Sequence, residues 1–257
     1  MYIDTHCHLD DEKIRDVIGE TVDGFLSAGV TRVINIGCDY ASSLLVKKQA
    51  EDYPCVYFAA GFHPMDVDGM NERGERGVRD LLTHEKCVAV GEIGLDYFWR
   101  KDNKERQREA FIRQIETAYE YKLPVSIHVR DATGDALALL KENKSKLVYG
   151  GVMHCFSGSR EVAAEALKLG LYIAFGGTLT FKNAKNALEV AAFVPEDMIL
   201  TETDSPYLAP EPVRGTVNTP KNIPYIVKKL CEIRKADETA LAERIMKNSR
   251  TLFYKLG

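Results

Sequence analysis

Two histidines one residue apart, His6 and His8, close a short apolar run in MYIDTHCHLDD. Side chains on a strand alternate with a period of two, so both imidazoles point one way and make a two-pronged clasp for a divalent ion. Alone, such a pair is weak evidence of metal. Three more histidines end apolar runs: His63 in GFHP, His128 in VSIHVR and His154 in VMHCF. Only His84 lies elsewhere. Two acids follow the same pattern, Glu92 in GEIG and Asp204 in TETD. Four histidines (His6, His8, His128, His154) with Glu92 and Asp204 suit a binuclear site, and these donor types accept several divalent ions. By the period of two, Asp4 shares a face with His6 and His8, and Glu202 shares one with Asp204. Glu202 and Asp4 are expected to orient ligands rather than bind metal.

Such residues need elements that bring them together. Eight apolar runs of strand length recur, at 2–6, 31–37, 56–64, 87–94, 123–130, 147–156, 171–177 and 198–204. Most are continuously apolar, the pattern of parallel strands buried on both faces. Amphipathic stretches lie between them, among them 103–122 and 160–170, the latter ending on a glycine C-cap signal. The tail reads as two helices, with Asp237 as N-cap of the second. These units predict an α/β fold, a single (β/α)8 TIM barrel spanning 1–257, whose strand ends converge on one mouth. A doubly wound sheet would want a glycine-rich phosphate loop after the first strand, and HCHLDDEK holds no glycine.

The formal net charge of −4 offers no general attraction for nucleic acid. A polyanion must be held locally, by metals and a few side chains. His63 is a candidate for substrate contact or ligand support. Arg130 suits either a phosphate or an ion pair with Asp131 or another acid. Lys182 in GTLTFK and Arg214 in PVRG are further phosphate candidates, and the aromatics before Arg100 suit base stacking or packing of the mouth. The six cysteines form no CxxC pair and read as reduced, mostly buried thiols. No run is long and apolar enough for a membrane span, so no membrane association is expected. A cleaved leader would remove His6 and His8, so a cytoplasmic protein is expected. No coiled-coil heptads appear, which leaves a monomer as the expectation.

The stretches DTHCHLD, GFHP, GEIGLDY, LPVSIHVRDA, HCFSGS, TETDSPYLAP and RGTVNTP, running from the first strand past the last, resemble the TatD-type metal-dependent deoxyribonucleases of the amidohydrolase-like barrels. The resemblance implies one metal held by His6, His8, Glu92 and Asp204, and a second held by Glu92, His128 and His154, with Glu92 bridging. The cofactors would be two divalent ions, Mg, Mn or Zn. It further implies an exonuclease acting on DNA, at single-stranded or end regions. Asp204 and Glu92 would carry the chemistry, with Asp204 as general base, and His63, Arg130, Lys182 and Arg214 would meet substrate. A leaving oxygen would be protonated by water or His63. Where family members carry basic residues after RG, this chain has Thr216 and Val217, which removes charge from the expected phosphate path. The same site would also suit an ester, amide or aminoacyl-RNA bond, and a non-catalytic metal-binding scaffold is the alternative outside enzymology.

Overall fold

The computed structural model describes residues 1–257. Eight strands form one parallel sheet in sequence order: β1 (Tyr2–Cys7), β2 (Val30–Ile36), β3 (Val56–Ala60), β4 (Cys87–Asp96), β5 (Val125–Arg130), β6 (Gly151–Met153), β7 (Leu171–Phe175) and β8 (Ile199–Thr201). A bridge between Cys7 and Ser205 joins the last strand's end to the first, giving the (β/α)8 barrel. The helices alternate with the strands: α1 (Ile18–Ser27), α2 (Tyr40–Asp52), α3 (Glu72–Leu81), α4 (Lys104–Tyr121), α5 (Thr133–Glu142), α6 (Arg160–Lys168), α7 (Lys185–Phe193), α8 (Ile223–Arg234) and α9 (Glu238–Leu252).

Burial explains the continuous apolar runs. All ten residues of β4 are buried, as expected for a strand with helices on one side and the barrel interior on the other. The main core lies between strands and helices, with Phe25, Phe58 and Phe111 fully enclosed. A smaller apolar cluster joins Ile34, Ile36, Val88, Val152 and Leu200 to Leu252, Phe253 and Leu256 of the tail. The C-terminus thus packs against strand side chains and supports the sheet that carries the site. The caps follow the sequence. Asp237 accepts a hydrogen bond from the Ala240 N–H at the start of α9 (2.9 Å). Gly170, at φ +77°, supplies the left-handed residue after α6.

All eight predicted strands are present, but several are shorter than their apolar runs. β3 stops at Ala60, so His63 stands on the following loop, tied by its N–H to the Cys38 carbonyl (2.8 Å). β8 stops at Thr201. Glu202 and Asp204 therefore lie beyond the ladder, Asp204 at φ +54°, and strand alternation does not relate their side chains. Asp4 needs a similar correction. Between Asp4 and Cys7 the β1 ladder advances three residues against two on β2, so the period of two does not hold across this stretch. No helix is long and apolar enough to cross a membrane.

Candidate metal centre

Strands β1, β4 and β5 and the turns after β1, β6 and β8 bring His6, His8, Glu92, His128, His154 and Asp204 into one cluster; Glu92 does not end its strand, as its apolar run suggested, but lies four residues before the end of β4. His6 Nε2 and His8 Nε2 are 3.2 Å apart. Glu92 Oε2 stands 3.5 Å and 3.7 Å from these two nitrogens. Asp204 Oδ1 stands 4.0 Å and 3.6 Å from them. Donors arranged tetrahedrally about 2.1 Å from a common centre would be separated by about 3.4 Å, close to the spacing of the His6, His8 and Glu92 atoms, with Asp204 within 4.0 Å of both nitrogens.

The other oxygen of Glu92 faces a second group. Its Oε1 is 2.9 Å from both His128 Nδ1 and His154 Nε2, and those two nitrogens are 3.3 Å apart. The Glu92 carboxylate therefore lies between two sets of imidazole nitrogens, one per oxygen.

The far nitrogen of each histidine has its own partner, which decides which nitrogen keeps a lone pair. His8 Nδ1 donates to the Ile36 carbonyl (3.1 Å). His128 Nε2 donates to Asp96 Oδ2 (3.1 Å). His154 Nδ1 donates to Glu202 Oε1 (3.3 Å), and Glu202 also accepts from the Cys155 N–H (2.6 Å). His6 Nδ1 lies 3.4 Å from Ser126 Oγ. With a cation bound, the nitrogens facing Glu92 and Asp204 would be its donors; against the opposing effect of burial, neighbouring carboxylates raise His128 and His154, so these nitrogens also hold protons, which a cation would displace. Glu202 thus accepts a hydrogen bond from His154. Asp4 does not reach the donor atoms: it accepts from the His6 and Thr203 N–H groups and bonds the Thr203 hydroxyl, fixing the β1 and β8 ends to each other. Burial lifts the Asp4 carboxyl to about 8 despite those hydrogen bonds.

The cluster's charges are mutually arranged. Burial acts to raise the Glu92 pKa, but the surrounding imidazoles, His154 foremost, outweigh it and hold it well below the usual carboxylate range. Burial and imidazoles compete in the same way at Asp204, which also ends lowered. His63 goes the other way. Burial, aided by His128, drops it to about 4 although Glu92 opposes this. Its Nδ1 accepts from the Met65 N–H (3.1 Å), so Nε2, 3.7 Å from Glu92 Oε1, carries the hydrogen. His63 is therefore a neutral hydrogen-bond donor, poorly suited to delivering a proton as an acid.

The TatD-related DNase family model matches residues 3–254. The chain belongs to that family. It is 40% identical over 253 residues to the metal-dependent hydrolase YabD of Bacillus subtilis, covering 98% of this chain and 99% of YabD. It is 36% identical over 256 residues to the metal-dependent hydrolase YcfH of Escherichia coli, covering 98% and 95%. The crystal structure of YJJV, a TatD homologue from E. coli, superposes with a TM-score of 0.94 at 32% identity, covering 98% of each chain. The protein is a metal-dependent hydrolase of the TatD family, with histidine and glutamate groups able to hold metal.

Around the mouth of this TatD barrel, the loops after β1, β2 and β3 carry more acids than cations. Asp10, Asp11, Asp39 and Asp66 lie on the loops after β1, β2 and β3. Arg130 ends β5, while Lys182 and Arg214 follow β7 and β8, and all three are exposed. Arg130 forms no ion pair with Asp131 or another acid; its guanidinium lies over Phe98 (4.1 Å) and Trp99 (5.3 Å). Arg214 lies over Phe181 (4.1 Å), the neighbour of Lys182 in the chain. Thr216 and Val217, two and three residues on from Arg214, are exposed. All six cysteines are free, but only Cys7 and Cys87 are fully buried, fewer than the apolar runs suggested. Cys38 Sγ lies 4.0 Å from both His8 Nδ1 and Glu92 Oε2, at the edge of the cluster.

Asp96 is the functional residue that sequence reading missed. It is buried, and its carboxylate accepts from His128, from the Phe98 N–H (2.9 Å) and from the Trp99 N–H (2.8 Å). An acid four residues after Glu92, just past the same apolar run, was the available signal.

Proposed function

We propose that this protein is a divalent-metal-dependent deoxyribonuclease that removes nucleotides from DNA ends, working as one cytoplasmic domain and as a monomer. The supporting observation is Glu92, whose two oxygens face separate sets of histidine donors. One ion would be held by His6, His8, Glu92 and Asp204, the other by Glu92, His128 and His154. When bound, two divalent ions acidify water and neutralise charge on a phosphoryl group; magnesium, manganese and zinc all suit the donors.

The chain's own residues supply the rest. Asp204, held ionised, accepts the proton of the attacking water on its carboxylate. His63 Nε2–H donates a hydrogen bond to the substrate, and Arg130, Lys182 and Arg214 pair with phosphate oxygens. The leaving oxygen takes its proton from solvent, because His63 is neutral. Glu202 and Asp96 hold ligand histidines, and Asp4 fixes the backbone beneath His6. The acidic loops after β1–β3 repel a polyanion, so a strand reaches the centre over the β4–β8 side and ends there. That favours single-stranded or frayed ends as substrate.

The test is digestion of end-labelled single-stranded DNA by metal-stripped protein refilled with magnesium, manganese or zinc, with Glu92→Ala protein alongside. A ladder shortening from one end, absent in the variant, is expected. No cleavage by fully loaded protein would turn the reading to a carbonyl ester or amide.

A further inference from the structure

The metal chemistry leaves one prominent feature of the mouth unused. Phe98 and Trp99 are 44% and 59% exposed, although they closely follow a fully buried strand. Their rings meet edge to face, with centroids 4.8 Å apart. The Arg130 guanidinium covers part of both rings and has no acid partner, so its N–H groups stay available for an anion.

This aromatic step is fixed to the metal centre. One oxygen of Asp96 accepts the Phe98 and Trp99 N–H groups while the other accepts His128 Nε2. His128 in turn presents Nδ1 to Glu92 at 2.9 Å. Gln107 locks the same turn: its side chain accepts the Asp96 N–H (2.8 Å) and donates to the Asp96 and Arg100 carbonyls (both 3.0 Å). A single buried carboxylate thus sets the distance from a ligand imidazole to an exposed indole. An open indole face beside a guanidinium with free donors fits a ligand that offers a flat ring and then an anion. A nucleotide offers both.

Resting on the nuclease reading above, we infer that Phe98, Trp99 and Arg130 form a stacking subsite for the nucleobase next to the cleaved phosphodiester. Trp99 takes the face of the base, and Arg130 takes the adjoining phosphate. Asp96 is the positioning residue that keeps this subsite in register with His128. The protein then recognises a base at the strand end without reading its identity, because every base has a π-face.

Trp99 is the only tryptophan of the chain, so intrinsic fluorescence reports directly on the subsite. The magnesium-loaded protein is titrated with a short phosphorothioate oligothymidylate, which resists cleavage, and with the same backbone lacking bases. Saturable quenching by the first and little by the second is expected. In parallel, Trp99→Ala should lower kcat/KM on ordinary single-stranded DNA by about 5- to 100-fold. On a strand whose terminal nucleotide lacks a base, it should leave kcat/KM unchanged. Equal quenching by both backbones, or no quenching by a protein that digests ordinary DNA, would overturn the subsite and leave the nuclease reading intact. Base-dependent quenching without cleavage of ordinary DNA would show a base on Trp99 but sink the nuclease reading, and with it the place of that base beside a cleaved bond. Neither quenching nor cleavage would sink both.

Discussion

Replacing Asp96 with asparagine changes one atom and one charge at a residue that touches no proposed metal. The carbonyl oxygen of the new side chain can still accept the N–H groups that Asp96 takes from Phe98 and Trp99 at 2.9 Å and 2.8 Å, so the turn is kept. The amide NH2 then faces His128 Nε2, which sits 3.1 Å from the present carboxylate oxygen. Two donors oppose each other. The imidazole must either shift its hydrogen to Nδ1, losing the lone pair that faces Glu92, or tilt away. A hydrogen bond to a charged group contributes about 1.5–3 kcal/mol, which corresponds to roughly a 10- to 100-fold change in affinity, the range usual for groups that orient metal-binding histidines. The assay is competition with a fluorescent chelator, run on wild type and Asp96→Asn for each ion bound. The ion on the His128–His154 side should lose about 10- to 100-fold in affinity, while the ion on the His6–His8 side changes little. Equal affinities for both ions in the two proteins would refute the reasoning.

Asp204→Asn should reduce turnover by at least about 100-fold while the protein keeps part of its metal, and wild-type turnover would exclude Asp204 as the base. Gly94 sits at φ +143°, where an added Cβ would lie 1.9 Å from the His128 carbonyl oxygen. Gly94→Ala should displace β5 and cost about 3 kcal/mol or more in thermal unfolding, with loss of the His128-side ion. Phe253, 1% exposed against the barrel strands, should cost about 3–5 kcal/mol on change to alanine, read by urea unfolding, with kcat unchanged in the folded fraction.

Much of this architecture is legible in the sequence because burial on both faces writes itself as unbroken apolar runs. Each of the eight runs overlaps one strand, in order, and the histidines at or just past their ends converge as a barrel requires. What could not be read is where ladders slip or stop. With an extra residue between Asp4 and Cys7, strand alternation does not hold across the stretch that contains Asp4 and His6. β8 ends before Glu202, so Asp204 reaches the cluster through a left-handed backbone instead of strand parity. Arg130 was open between a phosphate and an acid, and its aromatic partners come from a different loop, a proximity that only the closed barrel creates. The tautomers of the histidines were equally invisible, since they depend on Ile36, Asp96 and Glu202, distant in sequence from the rings they orient.

The central claim is that Glu92 joins two ions. Electron paramagnetic resonance of the manganese-loaded protein tests it most directly, because a shared carboxylate couples the spins of neighbouring ions. Two equivalents of manganese with an exchange-coupled spectrum in wild type, and loss of that coupling in Glu92→Gln, are the results predicted. One equivalent only, or two that remain magnetically independent in wild type, would contradict it.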